Sequence, residues 1–294
     1  MKFKKILVPV DFSSISDNAV DHALFWAEKF DAQITLVHVS VLFQSEAGEE
    51  KQLQEYEKFV ENKDKECLKQ LQLLNNKAEK RGVAIDSELL RGFSAADAIL
   101  EFIGDNDYDL IVIGTHGYSG FKEWIYGSVA ERVVRLSPIP VLTTYQEFKK
   151  ADAKNILVPV DFSEYSQKAV KRAISIGQQF GASLTFLHVV EQGFHPAFYA
   201  ADIESIFQID SGLKGRVIQK LTEFTGVATN DAVYAVAEGK PHKAIKKYAA
   251  ENKSDLIVMA TRGLSGLEQF LVGSNAERVV CIAPCPVLTV GRSK

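Results

Sequence analysis

The octapeptide ILVPVDFS occupies Ile6–Ser13 and appears again, unchanged, at Ile156–Ser163. In both places a short apolar run rich in β-branched residues is followed at once by an aspartate and a serine. Such a run is typical of a buried strand, and a serine just after it is typical of a helix N-cap. The octapeptide predicts a strand that leads into a helix, and its recurrence 150 residues later predicts that this unit occurs twice.

Other matches follow in the same order, so the duplication covers the chain. FDAQITLVHV, which ends at Val39, matches FGASLTFLHV, which ends at Val189, again at an offset of 150. DLIVIGTHGYSG from Asp109 matches DLIVMATRGLSG from Asp255 at an offset of 146. A period this long indicates duplicated domains rather than a solenoid. We expect one domain at 1–146 and another at 155–294, joined by a polar linker at 147–154.

Strand and helix signals alternate along the first copy. The predicted strands are Lys5–Val10, Ile34–Val39, Val83–Leu89, Leu110–Ile113 and Val141–Thr144. The first predicted helix is capped by Ser13 or Ser14, and its apolar face consists of Ala19, Val20, Ala23, Leu24 and Ala27. The other predicted helices are 49–81, which ends at Gly82, Ala95–Ile103 and Ser128–Leu136. Alternating elements of these lengths predict an α/β fold with a parallel sheet and helices on both faces.

Composition and charge narrow the function classes. The net charge is −4 and no long basic block is present, which argues against a nucleic-acid partner. No apolar stretch approaches the length that spans a bilayer, so we expect no membrane partner. Three cysteines, Cys67, Cys281 and Cys285, do not form a disulfide framework and favour reduced thiols in a cytoplasmic protein.

The stretch GTHGYSGFKEWIYGS, Gly114–Ser128, follows the fourth strand, and ATRGLSGLEQFLVGS, Ala260–Ser274, is its second copy. Ligands of open parallel sheets bind at the carboxyl ends of the strands, where Asp11 also lies if the first and fourth strands are neighbours. A helix that starts at Gly127-Ser128 offers free N–H groups to a phosphate, and glycines allow close approach of the backbone. The stretch predicts a phosphate-binding loop, although it is neither a P-loop nor a dinucleotide fingerprint.

A purely structural interpretation also fits these residues. Ser128 with Glu131, and Ser274 with Glu277, have the spacing of a capping box. Glycines after a strand are common turn residues, and Asp11 is able to cap the first helix or bind loop amides instead of a ligand. The residues alone leave both interpretations open.

The spacing Gly, two residues, Gly, nine residues, Gly, Ser resembles the nucleotide motif of the universal stress protein family, and Gly114, Gly117, Gly127 and Ser128 match it fully. In the second copy Gly263, Gly273 and Ser274 match, whereas Ala260 departs from the pattern. ILVPVDFS and PVLT also resemble the family in both copies. The resemblance is to a member of the family with two domains in tandem, and it covers essentially the whole chain. It implies two flavodoxin-like or Rossmann-like domains, each with five parallel strands in the order 3-2-1-4-5 and helices on both faces.

The resemblance also implies an adenine nucleotide, ATP or AMP, with Mg²⁺ as an option beside ATP. The sequence contains no recognisable cluster of metal ligands, so we expect no metal site of the protein's own. The implied binding residues of the first copy are Pro9, Val10, Asp11, Val39, Ile113, Gly114, His116, Gly117, Gly127, Ser128 and Val129. Those of the second copy are Pro159, Val160, Asp161, Val189, Met259, Ala260, Arg262, Gly263, Gly273, Ser274 and Asn275. Ala260 is expected to weaken the second site if its φ must be positive or if ribose lies against its Cα.

Three function classes follow, and the first is favoured. No catalytic constellation is visible, so we expect a non-catalytic, nucleotide-binding regulator of the stress response. The alternatives are a slow Mg²⁺-dependent nucleotide hydrolase that uses Asp11 or Asp161, and an interaction module whose glycines are structural. The two copies are expected to form an intramolecular pseudo-dimer through PIPVLT (138–143) and PCPVLT (284–289), the segments around the fifth strands. A homodimer of the whole chain is compatible with the sequence.

Overall fold

The computed structural model of the chain describes residues 3–41, 50–115, 127–146, 148–191, 205–261 and 274–291. The elements of the first half are β1 (Lys5–Pro9), α1 (Ser14–Phe30), β2 (Gln33–Val41), α2 (Glu50–Glu79), β3 (Ile85–Gly92), α3 (Ala95–Asp105), β4 (Leu110–Thr115), α4 (Ser128–Leu136) and β5 (Val141–Tyr145). Those of the second half are β6 (Asn155–Pro159), α5 (Glu164–Phe180), β7 (Ser183–Val190), α6 (Ile206–Ile209), α7 (Leu213–Thr225), β8 (Val233–Glu238), α8 (Pro241–Glu251), β9 (Leu256–Ala260), α9 (Ser274–Ile282) and β10 (Val287–Val290). The predicted alternation of strands and helices is confirmed.

The largest difference from the predicted boundaries concerns β3. The strand begins at Ile85 rather than Val83 and continues to Gly92. Gly82 adopts a φ of 70°, and the N–H of Val83 donates to the carbonyl of Ala78, 3.2 Å away. These bonds belong to the end of α2, so the chain reaches the sheet two residues later than predicted.

The sequence of α1 shows why a helix forms directly after β1. Ser13 is the N-cap, and its side chain accepts a hydrogen bond from the N–H of Ser16. The predicted apolar face of α1 is buried, with every one of its five residues at most 2% exposed. Ser163 caps α5 in the same way, so both copies of ILVPVDFS have the same local structure.

The ten strands form one sheet in the order β3-β2-β1-β4-β5-β10-β9-β6-β7-β8. Strands within each half are parallel, whereas β5 and β10 pair antiparallel, with Leu288 opposite Leu142. Across this seam Thr143 donates its hydroxyl to the carbonyl of Val287 and Thr289 donates to that of Val141. The expected contact between the halves through their fifth strands is confirmed.

The helices cover the two faces of the sheet. One continuous core joins α1, α2, α5 and α7 to one face, and it includes Trp26 and Phe180 from different halves. On the opposite face α3 and α4 pack over the first half, and α8 and α9 pack over the second. Within the described residues no helix is long and apolar enough to cross a membrane.

Side chains of α1 fix the linker between the halves. Asn18 donates to the carbonyls of Tyr145 and Phe148, and the indole N–H of Trp26 donates to the carbonyl of Ala151. Nε2 of His22 lies 3.1 Å from the Phe148 carbonyl, and burial lowers the pKa of His22. A neutral ring with the proton on Nε2 satisfies this contact. The linker is therefore bound to the helix that also starts beside Asp11.

Candidate functional site

A cavity of about 230 Å³ lies at the carboxyl ends of β1, β2 and β4. Nine of the residues that the family resemblance implied for the first site line this cavity. They are Pro9, Val10, Asp11, Val39, Ile113, Gly114, Gly127, Ser128 and Val129. His116 and Gly117 lie outside the described residues. Because β1 pairs with β4, Asp11 and Gly114 line one crevice, as expected.

The carboxylate of Asp11 is held by the loop that follows β1. Its Oδ1 accepts hydrogen bonds from the backbone N–H and the hydroxyl of Ser13, at 3.0 and 2.6 Å. Burial raises the pKa of Asp11, but the bonds from Ser13 and Ser16 outweigh it and hold the pKa below its usual value. Asp11 therefore satisfies a loop amide and also presents an ionised carboxylate to the cavity, while Ser13 caps α1.

Two histidines that the sequence analysis missed support these loops. Nδ1 of His38 lies 2.8 Å from the carbonyl oxygen of Val10, and the ring stacks on Phe12 with centroids 4.5 Å apart. Phe12 has a φ of 63°, which is uncommon for a bulky residue, so the stack and the Asp11 bonds hold an otherwise unfavourable turn. The signal was available, because the histidine of the LVHV sequence recurs at His188.

The second half repeats this loop closely. Oδ1 of Asp161 accepts from the N–H and hydroxyl of Ser163 at 3.0 and 2.6 Å. Phe162 has a φ of 64°, and Nδ1 of His188 lies 2.7 Å from the carbonyl of Val160. The turn after the first strand of each half is thus the same structure.

Within the part of the chain that the structure describes, the first N–H groups of α4 have no hydrogen-bond partner and lie at the cavity. Its N-cap is Gly127, without a side-chain capping bond, and its first intrahelical bond runs from the N–H of Glu131 to the carbonyl of Gly127. Ser128 is the first helical residue, so the capping-box interpretation of Ser128 is wrong: its hydroxyl lies one position too late to cap. Ser128, Val129 and Ala130 line the cavity, and their N–H groups precede the first intrahelical bond, as in anion sites at helix N-termini.

The edge of β2 provides a second set of backbone groups. The N–H of Gln33 donates towards β1, to Lys4, whereas that of Ile34 donates towards β3, to Ala84. Odd-numbered residues of β2 therefore direct their N–H and C=O towards β1, which ends at Pro9. The backbone donor and acceptor of Val39 thus lie beyond the end of β1.

An apolar wall stands beside this backbone edge. Four apolar side chains line the cavity here, those of Val37, Val39, Ile99 and Ile113. All of them except Val39 are at most 5% exposed. A flat apolar ligand group would pack against this wall. Polar atoms along one edge of that group would then face the backbone donor and acceptor of Val39.

Gly114 is required by packing and not by its own backbone angle. It lies in β4 and does not have a positive φ, unlike the described glycines Gly82, Gly181, Gly226 and Gly239. A Cβ at Gly114 would lie 2.7 Å from both Cγ2 and the carbonyl oxygen of Ile15, in the first turn of α1. The glycine therefore allows α1 to begin close to the end of β4.

The same comparison bears on Ala260, which ends β9. Ala260 does not have a positive φ. A backbone angle unfavourable for alanine, the first of the two expected reasons for a weaker second site, therefore does not apply. The second reason, contact of ribose with its Cα, stays a prediction. In the second half the residue equivalent to Ile15 is Tyr165, so the helix start that faces the alanine differs as well.

Substituting Gly114 with alanine is expected to lower the free energy of unfolding by about 1–3 kcal/mol, because the new methyl overlaps Ile15 and strain of this kind costs that much. Urea unfolding measures the change. The matched control is Gly104→Ala late in α3, where a Cβ meets nothing within 4 Å. That variant is expected to be neutral or slightly more stable. Equal stability of the two variants would rule out the Ile15 contact as the reason for the glycine.

The residues assigned to the second site are only partly described. Pro159, Val160, Asp161, Val189, Met259 and Ala260 stand at the ends of β6, β7 and β9 or just after them, as their equivalents do in the first half. Arg262, Gly263 and Gly273 lie outside the described residues, and Ser274 is described only as the first residue of α9.

One assigned residue of the second site has a polar neighbour. Oδ1 of Asn275 lies 3.4 Å from Nδ1 of His242, a residue of α8 that is 7% exposed. The first half has Val129 and Ala96 at these two positions. The second half is therefore more polar than the first where α8 meets α9.

Comparison with known proteins now decides the family. The model of the universal stress protein family matches residues 2–144 and again residues 153–291. The chain belongs to the universal stress protein family. It contains two domains of that family in tandem.

The matches include one relative that aligns with about half of this chain and one that aligns with all of it. A universal stress protein of Methanocaldococcus jannaschii is 37% identical over 145 residues, which are 48% of this chain and 84% of that protein. The universal stress protein E homolog of Haemophilus influenzae is 25% identical over a 312-residue alignment that covers 100% of this chain and 99% of that protein. A universal stress protein structure from Archaeoglobus fulgidus has a TM-score of 0.74, covers 99% of this chain and 100% of its own, and is 23% identical. That structure shows that the tandem fold is shared.

Proposed function

We propose that this universal stress protein is a cytoplasmic regulatory protein that binds an adenine nucleotide, ATP or AMP, in the cavity of its first half. The observation that carries the proposal is the start of α4, where, among the described residues, the N–H groups of Ser128, Val129 and Ala130 have no hydrogen-bond partner and border a cavity that Asp11 also lines. A helix N-terminus without a side-chain cap favours a phosphate, since the free donors and the helix dipole both attract an anion.

The described residues fit the three parts of such a ligand. The N–H groups of Ser128, Val129 and Ala130 suit a phosphate. The ionised carboxylate of Asp11 suits a ribose hydroxyl, which would donate to it, or Mg²⁺ that accompanies ATP. The apolar wall suits a purine ring, and the backbone donor and acceptor of Val39 suit the polar edge of adenine.

We propose binding without turnover. Among the described residues that line the cavity, Asp11 and His38 are the titratable ones. A carboxylate whose pKa is held below its usual value is a weak general base near neutral pH. Nδ1 of His38 faces the Val10 carbonyl, which fixes the ring as a support for the loop. Hydrolysis that is measurable in the wild-type chain and lost in Asp11→Asn would favour the slow hydrolase instead.

The decisive experiment releases and identifies the ligand. The full chain is purified without added nucleotide and denatured, and the released small molecules are analysed by mass spectrometry. Bound ATP or AMP at up to one per chain supports the proposal. If the purified chain is empty, calorimetric titration with ATP and AMP replaces this measurement. A chain that carries no nucleotide and binds none in the titration would be an interaction module with structural glycines.

We propose a weaker second site in the other half. The Asp161 loop has the geometry of the Asp11 loop, which supports a site of the same kind. Asn275 and Ala260 replace Val129 and Gly114 there, so the apolar and close-packed parts of the first cavity are not reproduced. The two halves are expected to differ in affinity.

A further inference from the structure

One polar side chain at the first cavity has no partner within the fold as described. Thr115 is the last residue of β4 and lines the cavity. It is 1% exposed, and among the described residues its hydroxyl oxygen has no hydrogen-bond partner. A buried hydroxyl without a partner costs free energy, and most such groups in proteins are satisfied. The Thr115 hydroxyl therefore needs a partner that the described residues do not supply.

The alternation of side chains along β4 shows which face of the sheet Thr115 occupies. Successive side chains of a strand point to opposite faces of its sheet. Leu110 and Val112 belong to the core that α1 joins, whereas Ile111 and Ile113 belong to the core beneath α3 and α4. Thr115 continues the second series, so its side chain lies on the α3 and α4 face, beyond Ile113 in the direction of the cavity.

The start of α4 lies on this same face. Ala130 and Val133 of α4 pack in one core with Ile113. Ala130 also lines the cavity, as Thr115 does. The Thr115 hydroxyl and the first N–H groups of α4 therefore border the same space.

These groups together form a set of hydrogen-bond donors. The N–H groups of Ser128, Val129 and Ala130 can only donate, and the Thr115 hydroxyl is able to donate as well. A phosphate accepts several hydrogen bonds at once, and bonds to an ionised acceptor are roughly twice as strong as those between neutral groups. A ribose hydroxyl has a better acceptor in the ionised carboxylate of Asp11, which lines the cavity too. Phosphate is thus the part of a nucleotide that suits Thr115.

We propose that the Thr115 hydroxyl donates a hydrogen bond to the phosphate of the bound nucleotide, beside the first N–H groups of α4. This contact rests on the proposed function, since it adds a residue to the same site. Without nucleotide, the buried hydroxyl lowers the stability of the protein, and the phosphate removes that cost on binding. Thr115 therefore raises the affinity for the ligand and lowers the stability of the free protein.

A second threonine provides a matched control. Thr144 of β5 pairs with Gly114 in β4. It is fully buried, and within the described part of the chain its hydroxyl also has no hydrogen-bond partner. By alternation its side chain lies with Leu142 in the core that α1 joins, and Thr144 does not line the cavity. The two threonines thus share burial and an unpartnered hydroxyl, but only Thr115 can reach a ligand there.

Replacement of each hydroxyl by a methyl group tests the contact on the full chain. Calorimetric titration with AMP and ATP is expected to show affinity at least about tenfold weaker in Thr115→Val, because a hydrogen bond to a charged group is lost. Thr115→Ser keeps the hydroxyl and should retain the wild-type affinity, and Thr144→Val should bind like the wild type. Without nucleotide, both valine variants should unfold at a urea concentration equal to or above that of the wild type, since each loses an unpartnered buried hydroxyl.

The outcomes separate this contact from the site as a whole. A wild type that binds neither AMP nor ATP would overturn the proposed function and the contact with it. A wild type that binds, with equal affinity in Thr115→Val, would overturn the contact alone. Unfolding of Thr115→Val at a clearly lower urea concentration than Thr144→Val would show that the hydroxyl already has a partner in the free protein, which also overturns the contact. An equal loss of affinity for adenosine and for AMP would place the hydroxyl on the ribose and overturn its assignment to the phosphate.

Discussion

Replacement of Gly127 with aspartate is expected to weaken nucleotide binding to the first half by at least about a hundredfold, or roughly 2.7 kcal/mol. Gly127 has a φ of −61° and a ψ of 122°, which any residue adopts without strain. An aspartate at this N-cap position would accept hydrogen bonds from the N–H groups of Val129 or Ala130. The protein would then occupy its own phosphate site with a carboxylate, which also repels the phosphate.

The fold is expected to tolerate this substitution, which makes the result interpretable. A capping side chain in place of glycine changes helix stability by only a few tenths of a kcal/mol, and in the favourable direction. Thermal unfolding checks the fold, and calorimetric titration with ATP and AMP measures the affinity. Gly127→Ala is the matched control, because it adds a side chain without a carboxylate and should lose much less affinity.

The second copy gives the reciprocal control. Gly273→Asp should leave the tighter of the two binding events unchanged, because that event is assigned to the first half. Loss of the tighter event in Gly273→Asp, with Gly127→Asp unaffected, would reverse the proposed ranking of the sites. Equal, small losses in both variants would show that neither helix start receives the phosphate.

Local sequence was sufficient to predict the parts of the site that depend on consecutive residues. ILVPVDFS specifies a strand, a turn and a capped helix within eight residues, so the position of Asp11 beside the cavity followed from its place after β1. The predicted helix Ser128–Leu136 coincides with α4. The capping box failed because spacing alone does not distinguish an N-cap residue from the first helical residue, and Gly127 takes the N-cap position.

Features that depend on contacts between distant segments were not predictable in this way. The need for glycine at Gly114 arises from Ile15, which is 99 positions earlier in the chain and touches β4 only after α1 has packed on the sheet. The role of His38 depends on the carbonyl of Val10, which directly follows the neighbouring strand β1.

The largest effect on stability is expected at Trp26, where the two halves and the linker meet. Its ring centroid lies 5.3 Å from that of Phe180 in the second half and 5.9 Å from that of Phe3, and its N–H binds the Ala151 carbonyl in the linker. The side chain is 1% exposed. Trp26→Ala should therefore lower the free energy of unfolding by about 3–5 kcal/mol, the usual cost of removing a large buried aromatic group.

Two further variants separate packing at Trp26 from its hydrogen bond and from the mere loss of an aromatic residue. Trp26→Phe keeps a ring in the core but leaves the Ala151 carbonyl without its donor, so about 1–3 kcal/mol should be lost. Phe59→Ala removes a ring that is 63% exposed on α2 and should change stability by less than about 0.5 kcal/mol.

Urea unfolding followed by far-ultraviolet circular dichroism is the suitable measurement, because it does not depend on the fluorescence that the substitution removes. If Trp26→Ala unfolds at the same urea concentration as Phe59→Ala, the seam between the halves does not depend on this side chain, and the continuous core of α1 and α5 would have to be stabilised elsewhere.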